Sequence, residues 1–133
     1  VRIGVLDHVS IAVSDLARSC AFYDAVLGAL NLHRTVSGDN VAGYGTDPDL
    51  PCSLWIHERN GPNAAKPGLG MHISFSALNR EQVHAFHAAA LAHGGRDAGP
   101  PGARSHYSSG FYGAFAFDPD ETKIEAVVRE DLR

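Results

Sequence analysis

The chain has 133 residues, a formal net charge of −4 and 20% charged residues, a length that suits one domain, residues 1–133, with its own hydrophobic core. There is no basic footprint of the kind a phosphate backbone demands, so nucleic acid is not expected as a partner. No apolar run approaches the roughly 18 to 20 residues that span a bilayer, and the amino terminus lacks a basic-then-apolar leader pattern, so a cytoplasmic protein without a membrane partner is expected.

The segment from Asp7 to Val13 alternates as a strand, with Val9, Ile11 and Val13 on one face and His8, Ser10 and Ala12 on the other. Ser14 or Asp15 then caps a helix that runs to about Leu27 and stops at Gly28, with Leu16, Cys20, Tyr23 and Leu27 as its apolar stripe. Cys20 on that stripe reads as a small buried hydrophobe. With Cys52 as the only other cysteine there is no disulfide framework or thiolate metal site. Residues 31–46 hold two short strands around the Ser37-Gly38-Asp39-Asn40 turn, whose composition suits positive φ angles. Pro48 and Pro51 bracket a loop. A fourth strand, Cys52 to Glu58, places Ser53, Trp55 and His57 on one face and Cys52, Leu54 and Ile56 on the other.

A linker rich in Gly, Pro and Asn, residues 59–70, follows this first module of residues 5–58. The second module, residues 71–129, repeats the first. Met71-His72-Ile73-Ser74-Phe75-Ser76-Ala77 copies the opening strand with His72 in place of His8, and Ala85-Phe86 and Leu91 answer Ala21-Phe22 and Leu27. Asn79 with Gln82 three residues on forms a capping box for a helix through about His93, stopped by Gly94-Gly95. Gly99-Pro100-Pro101-Gly102 reads as a turn and Phe111 to Phe117 as a strand. Asp118-Pro119-Asp120-Glu121 turns the chain into a last strand, Thr122 to Arg129. The order is strand, helix, three strands, twice.

A lone histidine at the head of a strand is most simply a partly buried structural residue. Two at matched positions of duplicated units instead tend to face one shared cleft, which points to metal ligation. On the last strand Glu125 alternates away from Ile124, Ala126 and Val128, a carboxylate in mid-strand. His8, His72 and Glu125 make a two-histidine, one-carboxylate set that leaves coordination positions open for substrate or water. His106-Tyr107 and Phe111-Tyr112 stand on the arm entering the seventh strand, where His106, Tyr107 and Tyr112 are candidates to offer an imidazole or hydroxyl to a substrate. Parity puts Trp55 and His57 toward the same pocket, Trp55 as a flat wall for a planar ligand. His84 and His87, three apart on the second helix, read as surface residues outside the site.

The paired modules, the two histidines, Ser14-Asp15-Leu16, Ala21-Phe22-Tyr23, Leu27-Gly28, the Asp118-Pro119-Asp120 turn and Lys123-Ile124-Glu125 together resemble the vicinal oxygen chelate superfamily. That superfamily comprises glyoxalase I, extradiol dioxygenases, fosfomycin-resistance enzymes and bleomycin-resistance proteins. The resemblance covers almost the whole chain. It implies an α+β fold of two βαβββ modules forming an eight-stranded concave cup, with a helix packed on each module. It also implies His8, His72 and Glu125 as ligands of a divalent ion such as Fe2+, Mn2+, Zn2+ or Ni2+, with Glu125 able to shuttle a proton, and a homodimer. The glutamate that glyoxalase I carries on the fourth strand falls near Trp55 here. Glu58 has the wrong parity and reads as surface, leaving His57 as the candidate fourth ligand. Gly113 and Phe115 do not match the serine and tyrosine of fosfomycin-resistance enzymes, and one domain departs from the two of many extradiol dioxygenases. The expected function is a small-molecule metalloenzyme, with glyoxalase-like lyase or isomerase chemistry or extradiol-type dioxygenation. The alternative is a bleomycin-resistance-like protein that binds its ligand without chemistry, using Trp55, Tyr107 and Tyr112 as stacking platforms.

Overall fold

A computed structural model describes residues 5–132. Its elements are β1 (Val9–Val13), α1 (Leu16–Gly28), β2 (His33–Ser37), β3 (Val41–Gly45), β4 (Leu54–Glu58), β5 (His72–Ser76), α2 (Arg80–Ala92), β6 (Arg96–Ala103), β7 (Phe111–Phe117) and β8 (Lys123–Arg129), followed by a 3-10 turn at Glu130–Leu132. The βαβββ unit thus occurs twice in an α+β fold. Each unit closes a four-stranded mixed sheet, ordered β1-β4-β3-β2 and β5-β8-β7-β6. In both, the first strand runs parallel to the last and the remaining pairs are antiparallel.

Local chemistry sets the ends of these elements. The Asp15 carboxylate accepts from the Arg18 amide at 3.0 Å, so Asp15 is the cap of α1. Glu58 accepts the Leu16 amide at 2.9 Å and is half-buried, so it ties β4 to the start of α1 and is not the surface residue expected from its parity. Gly28 is still helical; the left-handed residue that turns the chain is Asn31, at φ 62°. In α2 the Asn79 side chain accepts from the Gln82 amide at 2.9 Å and Gln82 accepts from the Leu78 amide at 2.8 Å, a reciprocal box displaced by one residue. Gly94, at φ +97°, ends that helix as its composition suggests.

The expected turn at Gly99–Gly102 is instead part of β6. Pro100 and Pro101 lie within the strand because β6 is an edge of its sheet, where a missing amide costs no ladder bond, and the pairing with β7 is irregular between Asp97 and Gly102. His87 also departs from the surface position expected of it. It is buried, and its Nε2 lies 2.8 Å from Asp97 Oδ1, which fastens α2 to β6.

One apolar cluster runs through both modules, taking Phe22, Tyr23, Val26 and Leu27 from α1, Val83, Phe86 and Ala90 from α2, and Leu54, Ile56, Ile124 and Ala126 from the sheets. The helices pack on each other within it. Polar ties reinforce the join. Tyr23 donates to Asp118 Oδ2 at 2.6 Å, while Asp118 Oδ1 accepts the amides of Asp120 at 2.8 Å and Thr122 at 2.9 Å. Ser14 donates its amide and hydroxyl to Asp120 at 3.0 and 2.5 Å. Burial pushes both the Tyr23 phenol and the Asp118 carboxyl above their ordinary values. Among the described residues no helix is long and apolar enough to cross a membrane.

Candidate functional site

Because side chains alternate along a strand, each sheet has a face turned to the helices and a face turned away. In the second sheet Ile124, Ala126 and Val128 enter the core, which leaves Lys123, Glu125, Val127 and Arg129 on the helix-free face of β8. Their β7 partners there are Phe117, Phe115, Gly113 and Phe111 in that order. His72 and Ser74 of β5 share this face, with Ser74 directly beside Glu125.

Glu125 is only 3% exposed although it points away from the core. Its Oε1 lies 3.2 Å from His72 Nε2, and its Oε2 is buried with no hydrogen-bond partner. Gly113 lies against it, where a Cβ would come 3.0 Å from the Ala126 carbonyl, 3.1 Å from the Phe111 ring and 3.3 Å from Oε2. The His72 ring meets the edge of Phe115 with centroids 5.7 Å apart. Together these residues open a hollow of about 400 Å³. Glu125, His72 and Ser74 form one end, Phe111 and Phe115 the walls, and Tyr107 and Arg129 the far end.

The first sheet offers a different surface in the corresponding place. Ser10 pairs with Trp55 as Ser74 pairs with Glu125, so Trp55 is the positional counterpart of Glu125, and no carboxylate stands there. Trp55 is half-buried over Gly43, where a Cβ would come within 2.8 Å of its ring. His57 follows on the same face, beside Ala12 and Val41. His8 immediately precedes β1 and is exposed, with Nδ1 2.6 Å from Asp7 Oδ1. A carboxylate at Nδ1 orients an imidazole and leaves Nε2 for another partner.

Within one chain, then, His72 and Glu125 meet, whereas His8, Trp55 and His57 lie on the other module. Among the described residues no group of three His, Cys, Asp or Glu side chains is arranged to hold a metal ion. Tyr107 lines the hollow, and exposed His106 leans against it at a tilt, with centroids 4.2 Å apart. Tyr112 does not join them. It alternates onto the opposite face of β7, is buried, and meets His84 Nε2 of α2 at 2.7 Å, so the expectation of a rim hydroxyl there is corrected. Sequence reasoning passed over Arg129, although its parity with Glu125 on β8 was a readable signal.

The buried pair fits a cation. A carboxylate oxygen without donor or solvent pays its desolvation uncompensated, and such a group calls for an ion or a donor to complete it. Carboxylate oxygen and imidazole nitrogen side by side are the donors that divalent transition ions accept.

A family model for the Glyoxalase/Bleomycin resistance protein/Dioxygenase superfamily matches residues 5–126. Among solved structures the chain is similar to a glyoxalase/bleomycin resistance protein from Albidiferax ferrireducens T118, at 36% identity and TM-score 0.83 over 93% of this chain and 98% of that one. It shares the fold of a glyoxalase-related enzyme from Fulvimarina pelagi, at 18% identity and TM-score 0.71 over 96% and 88% of the two chains. Glyoxalase I from Zea mays shares it too, at 23% identity and TM-score 0.71, with 95% of this chain matching 46% of that one. No curated protein matches. With nearly its whole length matched, and with both modules arranged as the duplication requires, the chain belongs to the Glyoxalase/Bleomycin resistance protein/Dioxygenase superfamily.

Proposed function

We propose that the protein is a small-molecule metalloenzyme whose site is shared between the subunits of a homodimer, with His72 and Glu125 from one subunit and His8 from the other. The single observation that carries this reading is the Glu125 carboxylate, buried at 3% exposure, one oxygen against His72 and the other without a partner. A core would not keep such a group for stability, because an apolar side chain of the same size does better there. His8 supports the reading by its matched position and by the Asp7 contact, which engages Nδ1 and leaves Nε2 without a partner among the described residues.

A divalent ion held by this set would supply Lewis acidity toward two neighbouring oxygens of a substrate. The protein's own contribution is positional. Phe111 and Phe115 exclude water from the side of Glu125, Ser74 offers a hydroxyl to a bound oxygen, and Glu125 is the group placed to take a proton from a substrate carbon and return it. The substrate class is a small molecule with two adjacent oxygens, and both isomerase or lyase chemistry and ring cleavage draw on that binding mode.

Elemental analysis of untagged protein tests the ligand set. Glu125→Ala should lose its metal, whereas His84→Ala, on the far side of the sheet, should keep it. Co-expressing His8→Ala and His72→Ala subunits tests the sharing, because a mixed dimer has one site with both histidines and one with neither. Metal recovered in that mixed species, when neither parent holds any, is the expected result. A monomer by light scattering, or a mixed species as empty as its parents, would overturn the shared site. Full metal content in Glu125→Ala would overturn Glu125 as a ligand, wild type that binds no metal on purification and reconstitution would overturn the metalloenzyme, and unaltered ligand binding in Glu125→Ala would favour a sequestering protein.

A further inference from the structure

We infer, building on the proposed chelating site, that its ligand is an anion with an apolar or planar body, bound at its far end by Arg129. Arg129 and Glu125 face one hollow from opposite ends of it. They lie on the same side of β8 with Val127 between them, so their Cα atoms are about 13 Å apart at the ordinary rise of an antiparallel strand. The wall between them is aromatic, with Phe115 beside Glu125 and Phe111 beside Arg129. A carboxylate at one end, a guanidinium at the other and two rings between them suit a molecule with adjacent oxygens at its head and a negative charge at its tail.

What singles out Arg129 is how it is used. Arg18, Arg34, Arg80 and Arg96 are each paired with a carboxylate of the protein, and Arg59, which donates to the Glu58 carbonyl, does not line this hollow. Arg104 also lies near Phe115, but its guanidinium is spent on the carbonyls of Pro100, Gly102 and Gly113. Arg129 has no carboxylate in contact among the described residues. It donates to the Ser108 hydroxyl at 3.2 Å and rests its guanidinium 5.1 Å from the Phe111 ring centre. The adjacent acid, Glu130, is turned to Arg80, which it meets through both oxygens at 2.7 and 2.9 Å. Among the described residues the guanidinium is therefore held by a hydroxyl and a ring with no carboxylate against it, the arrangement that accepts a carboxylate in a forked pair. Lys123, on the other flank of Glu125, is the competing cation. It sits over the Phe115 ring at 4.6 Å and borders a separate hollow beyond His72.

The test uses the zinc-loaded protein and two catechols of equal shape, 3-(3,4-dihydroxyphenyl)propanoate and its neutral amide, titrated calorimetrically. Wild type should bind the carboxylate about tenfold more tightly than the amide. Arg129→Gln should bring that ratio to about one through loss of carboxylate affinity alone, and Arg129→Lys should keep part of it, since a lysine retains the charge without the fork. Lys123→Gln should leave the ratio as it is. Equal affinities in wild type, a ratio that survives Arg129→Gln, or one that disappears in Lys123→Gln would each overturn the assignment. Zinc content measured on the same samples separates the two levels. A loaded protein that binds both catechols alike loses only the role of Arg129, whereas one that holds zinc and binds neither loses the chelating site as well.

Discussion

Trp55 and Glu125 occupy corresponding positions in the two sheets, each beside a serine of the first strand of its module, yet they differ in every chemical respect. The glycines next to them differ accordingly: the space over Gly43 is filled by the indole and Cys52, and that over Gly113 by the Ala126 carbonyl, the Phe111 ring and the carboxylate. Trp55→Ala should therefore weaken binding of a planar ligand severalfold while leaving metal content intact. Loss of melting temperature with unaltered affinity would mark Trp55 as packing only. At this scale the sequence was informative wherever strand parity had one polar face to work with, which is how His72 and Glu125 came to share a side, whereas His8 stands on the other module. It misled at Tyr112, because β7 is buried along almost its whole length and offers no polar face to fix the parity. The hydroxyl's partner, His84, stands on α2, 28 residues away, and nothing local announces it.

Among the elements, α1, α2 and seven of the strands were readable from caps, alternation and glycine stops, while β6 was not. Two prolines flanked by glycines normally signal a turn, and only the position of β6 at the edge of the sheet, a tertiary fact, lets them be extended. The same strand is held to α2 by His87 and Asp97. The Asp97 carboxyl lies below its ordinary 3.8, first through the His87 contact and then through the Gly99 amide. Since the folded value is the lower one, the unfolded chain binds more protons between the two. The stabilisation is complete above 3.8 and is lost as pH falls through the folded value. A melting curve followed down from about pH 5 should drop more steeply for wild type than for Asp97→Asn, with the two running parallel above that point. Parallel acid limbs would show that the pair carries no folding energy.

For the whole molecule, what matters is how two half-size modules become one body. Their joint core and the packed helices do most of this, and the buried Tyr23–Asp118 bond crosses from α1 of the first module to the β7–β8 turn of the second. Tyr23→Phe would leave Asp118 Oδ2 buried without its donor, a loss of about 1 to 3 kcal/mol. For a chain of this size that lowers the melting temperature by roughly 3 to 5 °C per kcal/mol. A single cooperative transition, merely shifted, is expected in calorimetry; two separated transitions would mean that this bond had been coupling modules able to unfold alone. The duplication behind this architecture, one sheet to each βαβββ module, was plain in the sequence, but the strand order within each sheet was not, because alternation fixes the faces of a strand and says nothing about its neighbours.

The replacement of a carboxylate by an indole at the counterpart of Glu125 also sets the electrical balance of the proposed centre. Two neutral imidazoles and one carboxylate around a divalent ion leave one positive charge over, where a second carboxylate would cancel it. That surplus favours ligands whose oxygens bind ionised, and it adds to the pull of Arg129 at the other end of the hollow. Trp55→Glu should consequently make the protein hold its metal more firmly against a chelator while reducing its affinity for anionic catechols, two opposite changes from one substitution. If both moved in the same direction, Trp55 would matter through its shape alone.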